Sequence, residues 1–321
     1  MTLESAPPCK GGAPKQTNLL PRSMMLIEQV FYVLTFVAGA FVGSFLNVVS
    51  DRLQSGESIF FGRSHCDKCR SPLSASELIP VFSFLFQKGK CRHCGNALSF
   101  YYLLSEILTG TLFVLAAAMV GVFGSTSMLP FMQWIYFVYL ATALSLYVIL
   151  FLSDMKYRIL PDKVVIPAIV LTFLFIVFNF SFFAYFSYQQ LSADAFGKYL
   201  IQAGFWQNQV LSAAKGVLFS LISASAIALF FLSLIKITRG MGMGGGDVKL
   251  GFLIGLFNGF PVNIIAIFVG FLSGALVSMV LVLLKKRGMK DTIAFGPFLI
   301  FGSVLSLVFG QQIFDWYIGL F

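Results

Sequence analysis

Residues 262–284 read VNIIAIFVGFLSGALVSMVLVLL, a run without a single ionisable side chain. As an α-helix it would reach roughly 35 Å, enough to cross the ~30 Å hydrocarbon layer of a bilayer. Comparable apolar windows recur at 26–48, 100–122, 131–152, 163–184, 211–236, 248–260 and 294–319. That makes about eight spans. The window 248–260 is the weakest, because thirteen residues reach only about 20 Å. Composition agrees, since 58% apolar residues, 38 phenylalanines and a mean hydropathy of +0.88 exceed what one water-soluble core of 321 residues can bury. The expected fold is an all-α polytopic membrane protein carrying a small loop domain.

Charge sets the orientation. Of 22 Lys and Arg, seven fall in 51–99, three in 154–163, three in 236–249 and four in 285–290. With eight spans these connections lie on one side, which the positive-inside rule makes cytosolic. Lys10, Lys15 and Arg22 in the first 25 residues oppose export of the N-terminus, and a start at Met24 or Met25 would remove that conflict. Residues 1–25 are rich in Gly and Pro and are expected to be a disordered extension. The net charge of +9 calls for no nucleic-acid partner, because basic loops beside anionic lipid account for it.

The loop after the first span, 49–99, carries Cys66-Asp-Lys-Cys69 and Cys91-Arg-His-Cys94. Two such CxxC knuckles complete a tetrahedral thiolate site, the usual form of structural zinc. A disulfide framework is the alternative, disfavoured in a reducing compartment. Four cysteines leave no open position for catalysis, so Cys66, Cys69, Cys91 and Cys94 are expected to hold Zn2+ for folding, with His65 and His93 as solvated neighbours. Cys9 has no partner motif.

Two aspartates stand at the edges of apolar segments: Asp154 in Leu152-Ser-Asp-Met-Lys-Tyr-Arg-Ile-Leu-Pro161, and Asp247 in Gly244-Gly-Gly-Asp-Val-Lys-Leu250. Carboxylates beside hydrocarbon are costly, so a pair of them in a chain with only 13 acidic residues points to function. Two carboxyl groups that share a proton are the apparatus of an aspartic protease. Asp154 closes the third span and Asp247 opens the sixth, so their helix ends favour Asp154 as acid and Asp247 as base. Glycines 244–246 either frame an extended peptide or let helices pack closely, as Gly251, Gly255 and Gly259 are expected to do. Asp162, after Pro161, reads as a helix-start carboxylate, and Lys249 as an interfacial cation.

Five blocks in order resemble the type IV prepilin leader peptidases: Gly43-Ser-Phe-Leu-Asn-Val-Val49 with Asp51-Arg52, the paired CxxC loop with Gly89-Lys-Cys-Arg92, Asp154 with Leu160-Pro-Asp162, Gly244-Gly-Gly-Asp-Val-Lys-Leu250, and Phe295-Gly-Pro-Phe-Leu299. The resemblance covers roughly 38–300. It implies that Asp154 and Asp247 are the catalytic pair of a GxGD aspartic endopeptidase in the bacterial inner membrane. The substrates it implies are type IV prepilins or pseudopilins, whose basic leader is cut on the cytosolic side. It also implies methylation of the new N-terminus with S-adenosylmethionine, an activity associated with the first-loop region. Leu78-Ile-Pro80 and Tyr101-Tyr-Leu103 depart from the family's pattern there, while Glu106 keeps it. No glycine-rich nucleotide motif locates the methyl-donor site. The spacing of 93 residues between the aspartates is longer than the family implies, and the stretch 181–209 accounts for the excess as an external elaboration.

The expected division is therefore an extension at 1–25, a first transmembrane helix at 26–48, a cytosolic zinc-binding loop at 49–99 and a membrane-embedded peptidase domain at 100–321. Competing readings are a leader peptidase without methyl transfer, a presenilin-like protease, a zinc-bearing scaffold and a proton-coupled transporter. The last would need carboxylates near the membrane midplane and symmetry between halves.

Overall fold

A computed structural model describes residues 22–320 except 59–61, 63, 67, 122–128, 241–242 and 286–292. Residues 1–21, with Cys9 and most of the expected extension, lie outside the described residues, and positions 22–25 already belong to the first helix. Ten α-helices occur among the described residues: α1 (Arg22–Ser55), α2 (Phe82–Phe86), α3 (Phe100–Val120), α4 (Pro130–Tyr157), α5 (Asp162–Ser192), α6 (Ala195–Gln202), α7 (Phe205–Ile237), α8 (Gly245–Asn258), α9 (Val262–Leu283) and α10 (Gly296–Ile318). Seven of them, α1, α3, α4, α5, α7, α9 and α10, are long and apolar enough to cross a membrane.

On α9 the inward positions are mostly small, Asn263, Ala266, Gly270 and Gly274 beside Ile267, whereas Phe268, Leu272, Leu276 and Met279 stand exposed. Small groups inside and large apolar groups outside is the arrangement of helices in lipid, where close backbone approach rather than water exclusion drives packing. Contacts between α1 and α3 follow the same rule. A methyl group on Gly39 would sit 2.9 Å from the Gly110 Cα, and one on Gly43 would sit 2.8 Å from Thr109 Oγ1.

The window expected to be the weakest span is α8, fourteen residues long. Its Leu250, Leu253 and Ile254 are fully enclosed, so it is wrapped by other helices rather than by lipid. It runs antiparallel to α7, with Gly251 on Phe231 and Gly255 on Ala224. A helix of about 21 Å stops short of the far side of a bilayer. Its last carbonyls then need donors from protein. Asn263 Nδ2 supplies one, donating to the Gly255 carbonyl at 3.0 Å, while the Asn258 side chain at the end of α8 donates to the Ser303 carbonyl of α10 at 2.9 Å and ties the two helices together.

Described residues of three of the connections singled out by charge, 51–99, 154–163 and 236–249, gather at one end of the bundle. Lys156 at the end of α4 pairs with Asp51 near the end of α1 at 2.7 Å. Tyr101 at the start of α3 donates its hydroxyl to the Leu152 carbonyl at 2.9 Å. Gln54 reaches Ser153 Oγ at 2.9 Å. Lys249 on α8 meets Asp162 at the start of α5 at 2.7 Å, an exposed pair that stabilises by no more than about 1 kcal/mol but fixes which helix ends are neighbours. The stretch 181–209 forms the distal parts of α5 and α7 with α6 between them, at the opposite end from Asp154.

The α7–α8 contact sets a test. Gly255→Val places its Cβ about 2.5 Å from the Ala224 Cα and forces the helices apart, whereas Gly245→Ala enters open space. Thermal unfolding in detergent should begin at a clearly lower temperature for the valine variant and stay within error for the alanine variant. Overpacking costs typically 1–3 kcal/mol.

Candidate active site

Asp154 lies in the last turn of α4, which ends at Arg158 in a left-handed conformation with φ 57°. Asp154 is 5% exposed. Its Oδ2 accepts the Gly296 backbone N–H at 2.9 Å, from the first turn of α10. The approach works because residue 296 has no side chain: a Cβ there would stand 2.6 Å from that oxygen. Phe295-Gly-Pro-Phe-Leu299 had been noticed as a block of the resemblance, yet nothing in the sequence tied its glycine to Asp154.

Asp247 occupies the third position of α8, where its carboxylate turns back to accept the N-cap Gly244 N–H at 3.1 Å. This is half of a capping box and places the charge at the positive end of the helix dipole. The glycines before it have different roles. Gly246 must lack a side chain because Leu160 Cβ lies 3.0 Å from where a methyl would be, while Gly245 faces open space. Close packing therefore explains one glycine of the run, and Gly244 and Gly245 keep the approach to Asp247 open.

The two aspartates are drawn together by the elements around them. Leu250, one turn beyond Asp247, reaches within 3.5 Å of the Cβ position of Gly296, which itself holds Asp154. Leu160, six residues past Asp154, abuts Gly246. Side chains 93 positions apart in sequence are thus brought to the same end of the bundle. Asp162 and Lys249 flank the candidate site as an exposed ion pair rather than as members of it.

The first loop brings its cysteines together as the spacing implied. Ligand sulfurs of Cys66, Cys69, Cys91 and Cys94 lie within 4.8 Å of one another. The two knuckles are near copies. The Cys66 N–H donates to the Ser71 carbonyl and the Arg70 N–H back to the Cys66 carbonyl; the Cys91 N–H donates to Asn96 and the Gly95 N–H back to Cys91. Arg70 and Gly95 take the same left-handed turn position, with φ of 52° and 67°. His65 and His93 stand outside the sulfur cluster.

Four thiols this close cannot all ionise without a cation between them. The Ser71 hydroxyl and backbone N–H draw the Cys69 thiol down to about 6. The Cys94 thiol is instead pushed up to about 11: the Asn96 N–H favours its anion, but burial and hydrogen bonding among the crowded sulfurs outweigh it. A divalent metal resolves that conflict by stabilising every thiolate at once.

Sequence reasoning missed the struts that tie this loop to the helix bearing Asp154. Glu106 on α3 accepts the Val81 N–H at 2.7 Å from the loop. Arg52 holds the Ser58 and Gly62 carbonyls, each at 3.0 Å. Tyr101 and Gln54 fasten residues 152 and 153.

Titrating Co2+ into the reduced protein should give a thiolate-to-metal absorption band that saturates at one ion per chain and is abolished by Cys91→Ser. No band, or a band unchanged in that variant, would show that these sulfurs do not form a common site.

Comparisons with known proteins converge on one family. Residues 37–120 match the Bacterial Peptidase A24 N-terminal domain, and residues 141–279 match the Type IV leader peptidase family. A prepilin leader peptidase/N-methyltransferase of Bacillus subtilis is 31% identical over 283 residues, covering 88% of this chain and 96% of the relative. One from Aeromonas salmonicida is 28% identical, over 90% of this chain and 94% of its own. The Pseudomonas aeruginosa protein of that name is 26% identical, with 88% and 92% covered. No solved structure matches the chain. With the two matched regions in order and a relative aligned almost end to end, the chain belongs to the type IV leader peptidase family and is a multi-pass membrane peptidase.

Proposed function

We propose that this protein cuts the basic leader from type IV prepilins or pseudopilins, using Asp154 and Asp247 as an aspartic dyad. The observation that carries the reading is the meeting of the α4 end, the α8 start and the Gly296 N–H around two carboxyl groups. One carboxylate takes a proton from a water held between the pair as its oxygen adds to the scissile carbonyl. The other carboxyl group gives its proton to the carbonyl oxygen. Collapse of the resulting diol releases the leader's carboxyl end and a protonated amine, without a covalent enzyme intermediate. Gly296 fixes one oxygen of Asp154 and leaves the other for substrate. Because the two groups titrate as a pair, the acid and base roles belong to the dyad.

The membrane supplies the substrate's geometry. An apolar pilin helix enters from lipid, while its charged leader stays with the basic loops at the aspartate end, which the distribution of Lys and Arg assigns to the cytosolic face of the inner membrane. The cysteine cluster holds a structural Zn2+ that folds the loop spanning 49–99. After cleavage the same protein methylates the new N-terminus with S-adenosylmethionine, in keeping with the names of its relatives. Proton-coupled transport fits poorly, because both aspartates stand at one end of the bundle rather than at its centre.

Asp154→Asn and Asp247→Asn should each lower cleavage of a purified prepilin by on the order of 10³-fold while the protein accumulates normally in membranes. Mass spectrometry of the products reads this directly. Either variant retaining wild-type cleavage would remove the proposed dyad.

A further inference from the structure

Helix α2 in the first loop reads Phe82-Ser-Phe-Leu-Phe86, and none of its residues is buried. Exposure nevertheless divides it into two faces. Ser83 and Phe84 turn toward the protein. Phe82, Leu85 and Phe86, at i, i+3 and i+4, turn away and are 58%, 60% and 79% exposed. Three large apolar side chains held outward together on one short helix mark an interaction surface.

Two contacts fix the depth at which that surface lies. The Phe84 ring packs on Phe100, the first residue of α3, with centroids 5.3 Å apart. The Val81 N–H, just before α2, donates at 2.7 Å to Glu106 in the second turn of α3, roughly 9 Å along the axis from that helix's start. Helix α2 therefore lies beside the first turns of a helix long and apolar enough to cross a membrane, not beyond its end. Those turns carry an outward stripe of their own, Phe100, Leu104 and Ile107. On a spanning helix such a stripe faces lipid. The outward face of α2 continues it at the same depth.

Charge supplies the second half of the pattern. Lys88 and Lys90 follow α2 directly and are exposed, and among the described residues neither forms an ion pair. Arg92, the next cation, lies within reach of the Glu77 charge instead. Apolar side chains at the depth of a helix's first turns, with ammonium groups immediately behind them, match the boundary between acyl chains and anionic headgroups. We propose that α2 is an interfacial anchor: Phe82, Leu85 and Phe86 enter the leaflet at the aspartate end of the bundle, and Lys88 and Lys90 take the phosphates of anionic phospholipid. The loop 49–99 then rests on the membrane surface rather than standing off in water.

The test is photo-crosslinking of the full-length protein in nanodiscs of phosphatidylethanolamine and phosphatidylglycerol, with p-benzoylphenylalanine replacing Phe86, Leu276 or Lys68 in turn and adducts read by intact mass. Leu276 is exposed on spanning α9, and Lys68 is exposed between the first two cysteines. Each preparation is qualified by a single size-exclusion peak and by its Co2+ band. Position 86 should capture lipid as position 276 does, and position 68 should not. Lipid captured at 86 should be enriched in phosphatidylglycerol at least about twofold over the bilayer. Lys88→Gln combined with Lys90→Gln should return it to the bilayer's composition, and so should about 1 M salt in the unaltered loop, where charges are screened beyond about 3 Å. No lipid adduct at 86 while 276 gives one, or equal capture at 68, would overturn the anchor. Adducts at 86 to a second copy of the chain, or to an added prepilin in place of lipid, would assign the face to a protein and overturn it as well. Enrichment that survives both the double variant and the salt would remove the lysines' part in it.

Discussion

The backbone N–H of Gly296 bonded to Asp154 Oδ2 is the contact on which the site depends. It joins the last turn of α4 to the first turn of α10, and it exists only because residue 296 lacks a side chain. An aspartate 5% exposed at the edge of an apolar bundle must be held by hydrogen bonds, and here a main-chain donor does so without adding a second charge. Leu250 closes on the same glycine from α8, so one small residue sets the approach of both aspartate-bearing elements.

Around that point the molecule separates two tasks. α8 is too short to span a bilayer and is sheltered by its neighbours, which lets Asp247 open a helix at the bundle's edge behind an exposed pair of glycines. The first loop gathers four cysteine sulfurs and is joined to α3 by the Glu106–Val81 bond, while Tyr101, Gln54 and Lys156 tie the ends of α1 and α3 to α4. Changes at these helix ends therefore bear on the backbone next to Asp154.

Apolar runs were enough to read the helices, since lipid demands length and composition that few soluble segments share. Seven expected spans are long helices, and the thirteen-residue window, already short, is the enclosed α8. The CxxC pairs predicted a four-sulfur cluster because each knuckle is a local turn. Gly251 and Gly255 pack against α7 as expected. What local pattern could not disclose were contacts made across the chain: Gly296 against Asp154, 142 residues away, and Tyr101 against Leu152, 51 residues away. Lys249 read as a lone interfacial cation but pairs with Asp162, whose charge alone gave no hint of the pairing.

The most direct measurement of the central claim is an experimental structure of the protein with a non-hydrolysable prepilin analogue bound in a bilayer. The account predicts that the carboxyl groups of Asp154 and Asp247 flank the scissile carbonyl, both within hydrogen-bond reach of about 3 Å of one water or its mimic. A bound cleavage site contacted by only one of them, or carboxyl groups parted by an intervening helix, would contradict it.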